Sequence, residues 1–205
     1  GKPMAIAFHG RWHAGPQPFS DSDTWMLVGA NPVVSKWGGI PQYNPGKRLH
    51  DALKRDMKLI VIDPRKTESA RRAHLHLQCK PGEDPTILAG IIHVLIAEDL
   101  IDEAFIAGDV DGFDALKEAV SQYTPAYVAN RAAVPAHQVI EAARVFAGGK
   151  RGMTTCGTGP NMAPRGTLTE YLVLVINTLC GRWLRAGEPM PNPFVLLPER
   201  IGGAE

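Results

Sequence analysis

The sequence predicts an α/β protein built on an open parallel sheet with helices on both faces. Four short segments, at residues 25–28, 58–62, 74–79 and 154–156, have the composition or the alternation of β-strands. Helical patterns separate these segments, and strands that alternate with helices form parallel sheets. With 205 residues, 44% of them hydrophobic, the chain can bury one sizeable core. We therefore expect a single domain.

The first third of the chain is predicted to contain two of these strands. Residues 1–22 lack a sustained hydrophobic period and carry several glycines and prolines, which indicates an irregular leading segment. The strand at 25–28 ends in a tight turn, and a proline near the start of 44–55 is typical of a helix that begins there. The strand at 58–62 stops at Asp63, because the proline that follows disfavours helical backbone at that residue.

The middle of the chain is predicted to add an edge strand and a buried helix. A short helix is expected at 67–73. Residues 74–79 alternate between apolar and polar, as in a half-buried edge strand, and residues 81–84 have the composition of a turn. Asp84 is expected to cap the helix at 85–97, whose wide apolar face can pack against the sheet.

The remainder is predicted to be mostly helical around one last strand. Residues 154–156 are the fourth strand, and 166–179 form a long apolar helix. Pro125 and Pro135 are typical of helix starts. Residues 183–205, rich in Pro and Gly, are expected to leave the domain or wrap its surface. The other predicted helices span 102–107, 112–122 and 135–147.

Composition excludes several classes of function. Lys plus Arg number 22 and Asp plus Glu 21, so the net charge of +1 provides no field to hold nucleic acid. Three cysteines without a CxxC pair cannot supply a four-cysteine zinc or iron–sulfur site. No apolar run has the length needed for membrane insertion. Because the chain begins with Gly-Lys-Pro and has no signal-like segment, we expect a fragment of a longer protein.

Three strand-end turns are candidates for a ligand site. In open parallel sheets, ligands bind at the carboxyl ends of strands, and here those ends carry the turns at 29–31, 63–65 and 157–159. Glycine lets the backbone approach a phosphate or ribose closely. The turn at 157–159 begins like a nicotinamide dinucleotide fingerprint, but Met162 replaces its third glycine and no acidic residue follows about twenty positions later. These departures argue against a nicotinamide cofactor.

The segment from Asp63 to Thr67 places a carboxylate, cations and a hydroxyl at the end of a buried strand. A carboxylate can accept two hydrogen bonds from the ring N–H and exocyclic amine of guanine, while Arg65 and Lys66 can face phosphates. The same residues also fit a capped strand end with a surface Arg–Asp pair. These residues alone do not decide between a guanine contact and a capped strand end.

Other catalytic or metal-binding arrangements find little support in the sequence. His74 and His76 share a face of their predicted strand, but no third metal ligand accompanies them. His9 and His13 could pair only on a helix that the neighbouring glycines disfavour. No GxSxG nucleophile motif occurs, and nothing places a histidine beside Cys156. We predict neither a catalytic residue nor a metal ligand in this chain.

Taken in order, the turns resemble those of the molybdopterin oxidoreductase family, of the dimethyl sulfoxide reductase type that includes formate dehydrogenases and nitrate reductases. The resemblance spans most of residues 24–190 and matches one domain of that family. It is strongest where an IDPR segment is followed by KPGxD. The matching segments are WMLVGANPVVS at 25–35, LIVIDPRKTESARRA at 59–73, KPGEDPTI at 80–87 and GTGPNMAPRG at 157–166, with TLCGRWLRAGE trailing.

The resemblance implies a Rossmann-like domain over residues 23–182 that binds the guanosine and pyrophosphate of molybdopterin guanine dinucleotide, one of two pterins around molybdenum or tungsten. Within this site, the chemistry of the side chains favours a guanine contact for Asp63, ribose or phosphate contacts for Arg65 and Thr67, and a second nucleoside contact for Asp84, and these individual roles are interchangeable. The full implied set of cofactor-binding residues is Val28, Gly29, Ala30, Asn31, Pro32, Ser35, Asp63, Pro64, Arg65, Lys66, Thr67, Gly82, Asp84, Gly157, Thr158, Gly159 and Met162.

The chain departs from the family in having no N-terminal cysteine cluster and no Cys or selenocysteine placed to ligate the metal, and in reading TLCGRW where relatives tend to read TGN. The resemblance implies that any [4Fe-4S] cluster belongs to an upstream part of a parent chain. It further implies an oxidoreductase, cytoplasmic or exported to the periplasm, whose other domains and an electron-transfer subunit are the partners. A hydratase-like member without redox chemistry is one alternative. A stand-alone Rossmann-like nucleotide-binding or regulatory module without metal chemistry is the other.

Overall fold

The computed structural model describes residues 1–10, 15–36 and 39–188. At its centre lies a four-stranded sheet, in which all neighbouring strands are parallel, with the order β3-β2-β1-β4. The predicted α/β class and the position of every predicted strand are confirmed. The strands are β1 (Thr24–Val28), β2 (Lys58–Ile62), β3 (Leu75–Leu77) and β4 (Gly152–Cys156).

Ten α-helices surround this sheet in the part of the chain described. None of them is long and apolar enough to cross a lipid bilayer. The predicted helices after residue 84 are confirmed in position to within a few residues. The helices are α1 (Lys2–His9), α2 (Pro32–Ser35), α3 (Pro45–Lys54), α4 (Asp84–Ala97), α5 (Glu103–Asp109), α6 (Phe113–Val120), α7 (Pro125–Ala132), α8 (Ala136–Gly148), α9 (Thr158–Met162) and α10 (Gly166–Leu179).

The two faces of the sheet bury two separate apolar clusters. Side chains alternate along a strand, so Met26 and Val28 of β1 pack on one face, with α4, α7, α8 and α10. Trp25 and Leu27 pack on the opposite face, where α3 contributes Leu49 and Ala52. Because both faces are covered, the central strands are buried at nearly every position, as parallel strands require.

The leading segment differs from its prediction. Lys2–His9 is helical, so the expectation of an irregular segment through residue 22 is wrong for these residues. Helix α1 packs along α10, and Lys2 Nζ donates a hydrogen bond of 3.2 Å to the carbonyl of Cys156. An eight-residue helix has little stability in isolation and depends on such packing, which no local pattern reveals. His13 and the end of the predicted exit segment, 189–205, lie outside the described residues.

Two local predictions around the second and third strands also need correction. The segment 67–73 contains only a short 3₁₀ turn, Ala70–Arg72. The hydroxyl of Thr67, which precedes this turn, accepts a hydrogen bond of 3.2 Å from the Ala70 N–H. Asp84 is the first residue of α4 rather than its cap, since Glu83 occupies the N-cap position. The helix therefore begins one residue earlier than predicted, and Asp84 is buried at its start.

The edge strand β4 is closed by a side chain of α10. Asn177 accepts from the backbone N–H of Thr154 at 2.8 Å and donates to the Thr154 carbonyl at 3.0 Å, so it replaces a neighbouring strand. We expect Asn177→Leu to lower the free energy of unfolding by about 2 kcal/mol, because two buried backbone groups lose their partners. Urea denaturation of both proteins measures this, and equal midpoints would contradict it.

Candidate functional site

The carboxyl ends of the four strands form a single edge of the sheet. β1 lies between β2 and β4, so the chain moves to one side of β1 for β2 and β3 and then crosses to the other side for β4. Such a change of direction opens a crevice outside the strand ends, which is where ligands bind in open parallel sheets. The predicted turns after β1, β2 and β4 all meet at this edge.

The turns after β1 and β4 touch each other through glycines. Gly29 has a φ of +55°, which favours glycine, and a Cβ there would lie 2.3 Å from the ring of Pro160. A Cβ on Gly157 would lie 2.2 Å from the Gly29 carbonyl oxygen. Neither position can accept a side chain without movement of its neighbours. The two glycines therefore set how closely these turns approach.

Asn31 joins the turn after β1 to the segment after β2. Its Oδ1 accepts from the Ser69 hydroxyl at 2.8 Å, and its Nδ2 donates to Glu68 Oε2 at 2.7 Å. Pro32 is buried beside it, while Ser35 is exposed at the end of α2. Asn31 thus fixes the relative position of two predicted cofactor segments, a role that differs from direct contact with a ligand.

Asp63 organises the turn after β2. Its Oδ1 accepts from the backbone N–H of Arg65 at 2.8 Å, and its carbonyl accepts from His76 Nε2 at 2.9 Å. Asp63 is 7% exposed, whereas the side chains of Arg65 and Lys66 reach solvent. The contact with Arg65 uses its backbone rather than its guanidinium. Both cations are therefore placed at the rim of the site, around a buried carboxylate.

Asp84 is the second buried carboxylate at this edge. It is 5% exposed, and its Oδ1 has no hydrogen-bond partner. Burial raises the pKa of Asp84 above its ordinary value, and the nearby carboxylates of Asp63 and Glu83 raise it further. A buried acceptor without a partner is costly, and such groups concentrate where a ligand is to be bound. Asp63 and Asp84 together form what we call the carboxylate pair.

The turn from Gly82 to Asp84 is held by two arginines. Arg165 Nη2 donates to the Gly82 carbonyl at 2.8 Å, and Arg131 Nε donates to Glu83 Oε2 at 2.9 Å. Burial alone would raise the pKa of Glu83, but the hydrogen bonds from Thr86 and Arg131 outweigh it and lower that pKa. No sequence pattern indicated a role for either arginine. Arg165 lies inside a quoted motif, whereas Arg131 is 48 residues from its partner and has no local signal.

The remaining predicted residues lie in β1, in the turn after it and in α9. Val28 and Ala30 are buried and shape the turn after β1. Thr158 and Gly159 are exposed at the start of α9, and no atom lies within 4 Å of a Cβ placed on Gly159. Met162 is 79% exposed, so its side chain is free to cover a ligand rather than the core. The space next to Gly159 is therefore open.

The sulfur and imidazole groups make no further site in residues 1–10, 15–36 and 39–188. No three His, Cys, Asp or Glu side chains come together there in the manner of a metal site. Burial raises the pKa of Cys79 and of Cys180 to about 12, and it raises that of Cys156 as well. Such thiols stay protonated and unreactive at neutral pH. His74 Nε2 lies 3.9 Å from Oε1 of Glu141, a half-exposed residue of α8.

Comparison with known proteins identifies relatives that share this domain. The family model described as "Molybdopterin oxidoreductase" matches residues 13–200. Formate dehydrogenase H of Escherichia coli is 36% identical over 146 residues, covering 68% of this chain and 20% of that protein. A nitrate reductase of Synechocystis is 32% identical over 160 residues, covering 77% of this chain and 22% of that protein. The chain spans about a fifth of the length of these relatives.

A solved structure agrees with the sequence comparison. Acetylene hydratase from Pelobacter acetylenicus superimposes with a TM-score of 0.79 at 26% identity, covering 94% of this chain and 25% of that one. The resemblance inferred from the strand-end turns is thus confirmed, because the family model covers most of the chain and includes all of these turns. This chain belongs to the molybdopterin oxidoreductase family.

Proposed function

We propose that this chain is the domain that holds the guanosine and pyrophosphate of a molybdopterin guanine dinucleotide in a molybdenum or tungsten oxidoreductase. The observation that supports this most is the carboxylate pair, Asp63 and Asp84, buried at the sheet edge with the Oδ1 of Asp84 unpartnered. An acceptor buried in this way calls for a donor from outside the chain.

Guanine has the donors that fit this acceptor. Its ring N1–H and its exocyclic amine point in the same direction, and an ionised carboxylate accepts at both oxygens. Adenine N1 is an acceptor instead. Its lone pair would be repelled by the negative oxygens of a carboxylate facing the Watson–Crick edge. Asp63 already gives Oδ1 to the Arg65 N–H, which leaves its other oxygen for a ligand. The carboxylate pair therefore favours guanine over adenine.

The rim of the crevice suits the charged part of the dinucleotide. Arg65 and Lys66 are exposed in the turn that Asp63 organises, Thr158 and Gly159 are exposed at the start of α9, and a Cβ on Gly159 would meet no atom within 4 Å. Cations and closely approached backbone N–H groups are the usual partners of a pyrophosphate. The described residues thus provide acceptors for the base and donors for the phosphates at adjacent places.

The chain's own residues bind and orient, and the redox chemistry is supplied by the metal-bearing pterin when it is bound. The relatives named above include formate and nitrate enzymes as well as a hydratase, and all share this domain. A domain common to such different reactions fits cofactor binding better than substrate choice. The remaining domains of a catalytic subunit and an electron-transfer subunit are accordingly the partners we propose.

Calorimetric titration of the cofactor-free protein with GDP and with ADP tests this function. We expect a preference for GDP, and we expect Asp63→Asn to weaken GDP binding about tenfold by removing a charged hydrogen bond. Asn keeps an oxygen for the Arg65 N–H, so the turn survives the change. Asp114→Asn, an exposed site on α6, is the control. Equal affinities for GDP and ADP would refute the proposal, and a preference for ADP would favour a nucleotide module of another kind.

A further inference from the structure

Arg165 connects the two halves of the candidate site. It follows the turn after β4, at the start of α10, yet its Nη2 donates to the carbonyl of Gly82, which is 83 residues away in sequence. The same nitrogen lies 3.5 Å from Glu83 Oε1. The contact therefore bridges the part of the crevice near Gly157 and the turn that leads into α4.

The Gly82 turn depends on such a contact for its orientation. Gly82 has a φ of +85° and no atom within 4 Å of a Cβ placed on it, so neighbouring side chains do not confine it. Its carbonyl is fixed by the Arg165 guanidinium, and Asp84 follows two residues later. A rotation of the turn would displace the start of α4 and with it the carboxylate of Asp84.

Arg165 also acts on Asp84 through its charge. The ionisable groups that face Asp84 are Asp63, Glu83, the buried thiols of Cys79 and Cys156, and Arg165. Asp63 and Glu83 raise the pKa of Asp84, whereas the Arg165 guanidinium lowers it. The cation consequently favours the ionised form of Asp84, which is the form that accepts hydrogen bonds from a base.

We infer that Arg165 is a positioning residue for nucleotide recognition: its hydrogen bond to the Gly82 carbonyl holds the turn so that Asp84 faces the base. The inference rests on the proposed guanosine site. It assigns Arg165 no contact with the cofactor. Loss of its charge should therefore change the pH dependence of binding, which a purely structural role would leave unchanged.

The experiment compares Arg165→Gln, Arg165→Lys and the wild type in GDP titrations across a pH series. We expect Arg165→Gln to bind GDP about fivefold more weakly at neutral pH, as for one lost charge-assisted hydrogen bond, and to lose binding at a higher pH than the wild type on acidification. Arg165→Lys keeps the charge and should keep the wild-type pH profile. Arg144→Gln is the control, because it removes another arginine–glutamate pair, the more exposed Arg144–Glu98 contact between α8 and the end of α4.

Amide hydrogen exchange of residues 82–87 gives a second readout that needs no nucleotide. Faster exchange there in Arg165→Gln, and not in Arg144→Gln, supports the inference. Unchanged exchange, or an Arg165→Gln protein with the GDP affinity and pH profile of the wild type, overturns it. A wild type without preference for GDP refutes the proposed function instead, and the exchange result then decides on its own whether Arg165 holds the turn.

Discussion

Gly157→Ala should lower the free energy of unfolding by about 3 kcal/mol or more, as for a severe overpacking change. A Cβ at this position would lie 2.2 Å from the Gly29 carbonyl oxygen and 2.9 Å from the Ala30 Cα. Both are backbone atoms of β1's turn, so no side-chain rotation can relieve the contact. The strain is steric, since the φ of −87° at Gly157 is open to any residue. The turns after β1 and β4 would have to separate.

Gly159→Ala is the internal control for this change. It lies two residues further in the same turn, within α9, and a Cβ there meets no atom within 4 Å. Alanine has a higher helix propensity than glycine, so the free energy of unfolding of Gly159→Ala should differ from that of the wild type by less than about 1 kcal/mol. Urea denaturation of the two variants compares them directly. If both variants unfolded at the wild-type urea midpoint, that result would contradict the close contact between the turns after β1 and β4.

The parallel sheet and most helices were predictable from the sequence because their signals are local. The run at 58–62 is apolar and β-branched, and its end is marked by the dipeptide Asp63-Pro64. The strand observed there has the predicted bounds. Burial on both faces makes such strands apolar throughout, so composition alone finds them. Helix α1 lacks a comparable signal, since it depends on contact with α10 at the opposite end of the chain.

The candidate site was predictable as a set of turns but not as a set of contacts. Asp63 and Asp84 were both selected, yet their burial beside each other and the unpartnered Oδ1 follow from the path of β2, β3 and α4. Asp84 was expected to cap the helix, whereas it is the first residue of α4 and is buried. The Arg165–Gly82 contact joins residues 83 positions apart, and periodicity carries no information over that distance.

Asp84→Asn should have opposite effects on binding and on stability. The substitution removes a buried charged acceptor, so GDP binding should weaken on the order of 100-fold. Yet the free energy of unfolding at neutral pH should rise by about 1 kcal/mol, because the folded protein no longer keeps a buried charge beside two other carboxylates. The start of α4 favours a carboxylate, but the raised pKa of Asp84 shows that burial and the charges of Asp63 and Glu83 outweigh that effect.

The sign of the pH dependence distinguishes this explanation from a general improvement in packing. A carboxyl group whose pKa is raised on folding stabilises the protein while it is protonated, and that contribution is lost as the pH rises through the raised value. The advantage of Asp84→Asn should therefore be absent well below the ordinary aspartate value of 3.8, grow between that value and the raised pKa, and stay constant above it. Thermal denaturation from pH 3 to 8, with Asp114→Asn as the control, measures it. An advantage of equal size at every pH would show that the charge of Asp84 is not its source, and a destabilised variant would mean that Asp84 serves the fold rather than a ligand.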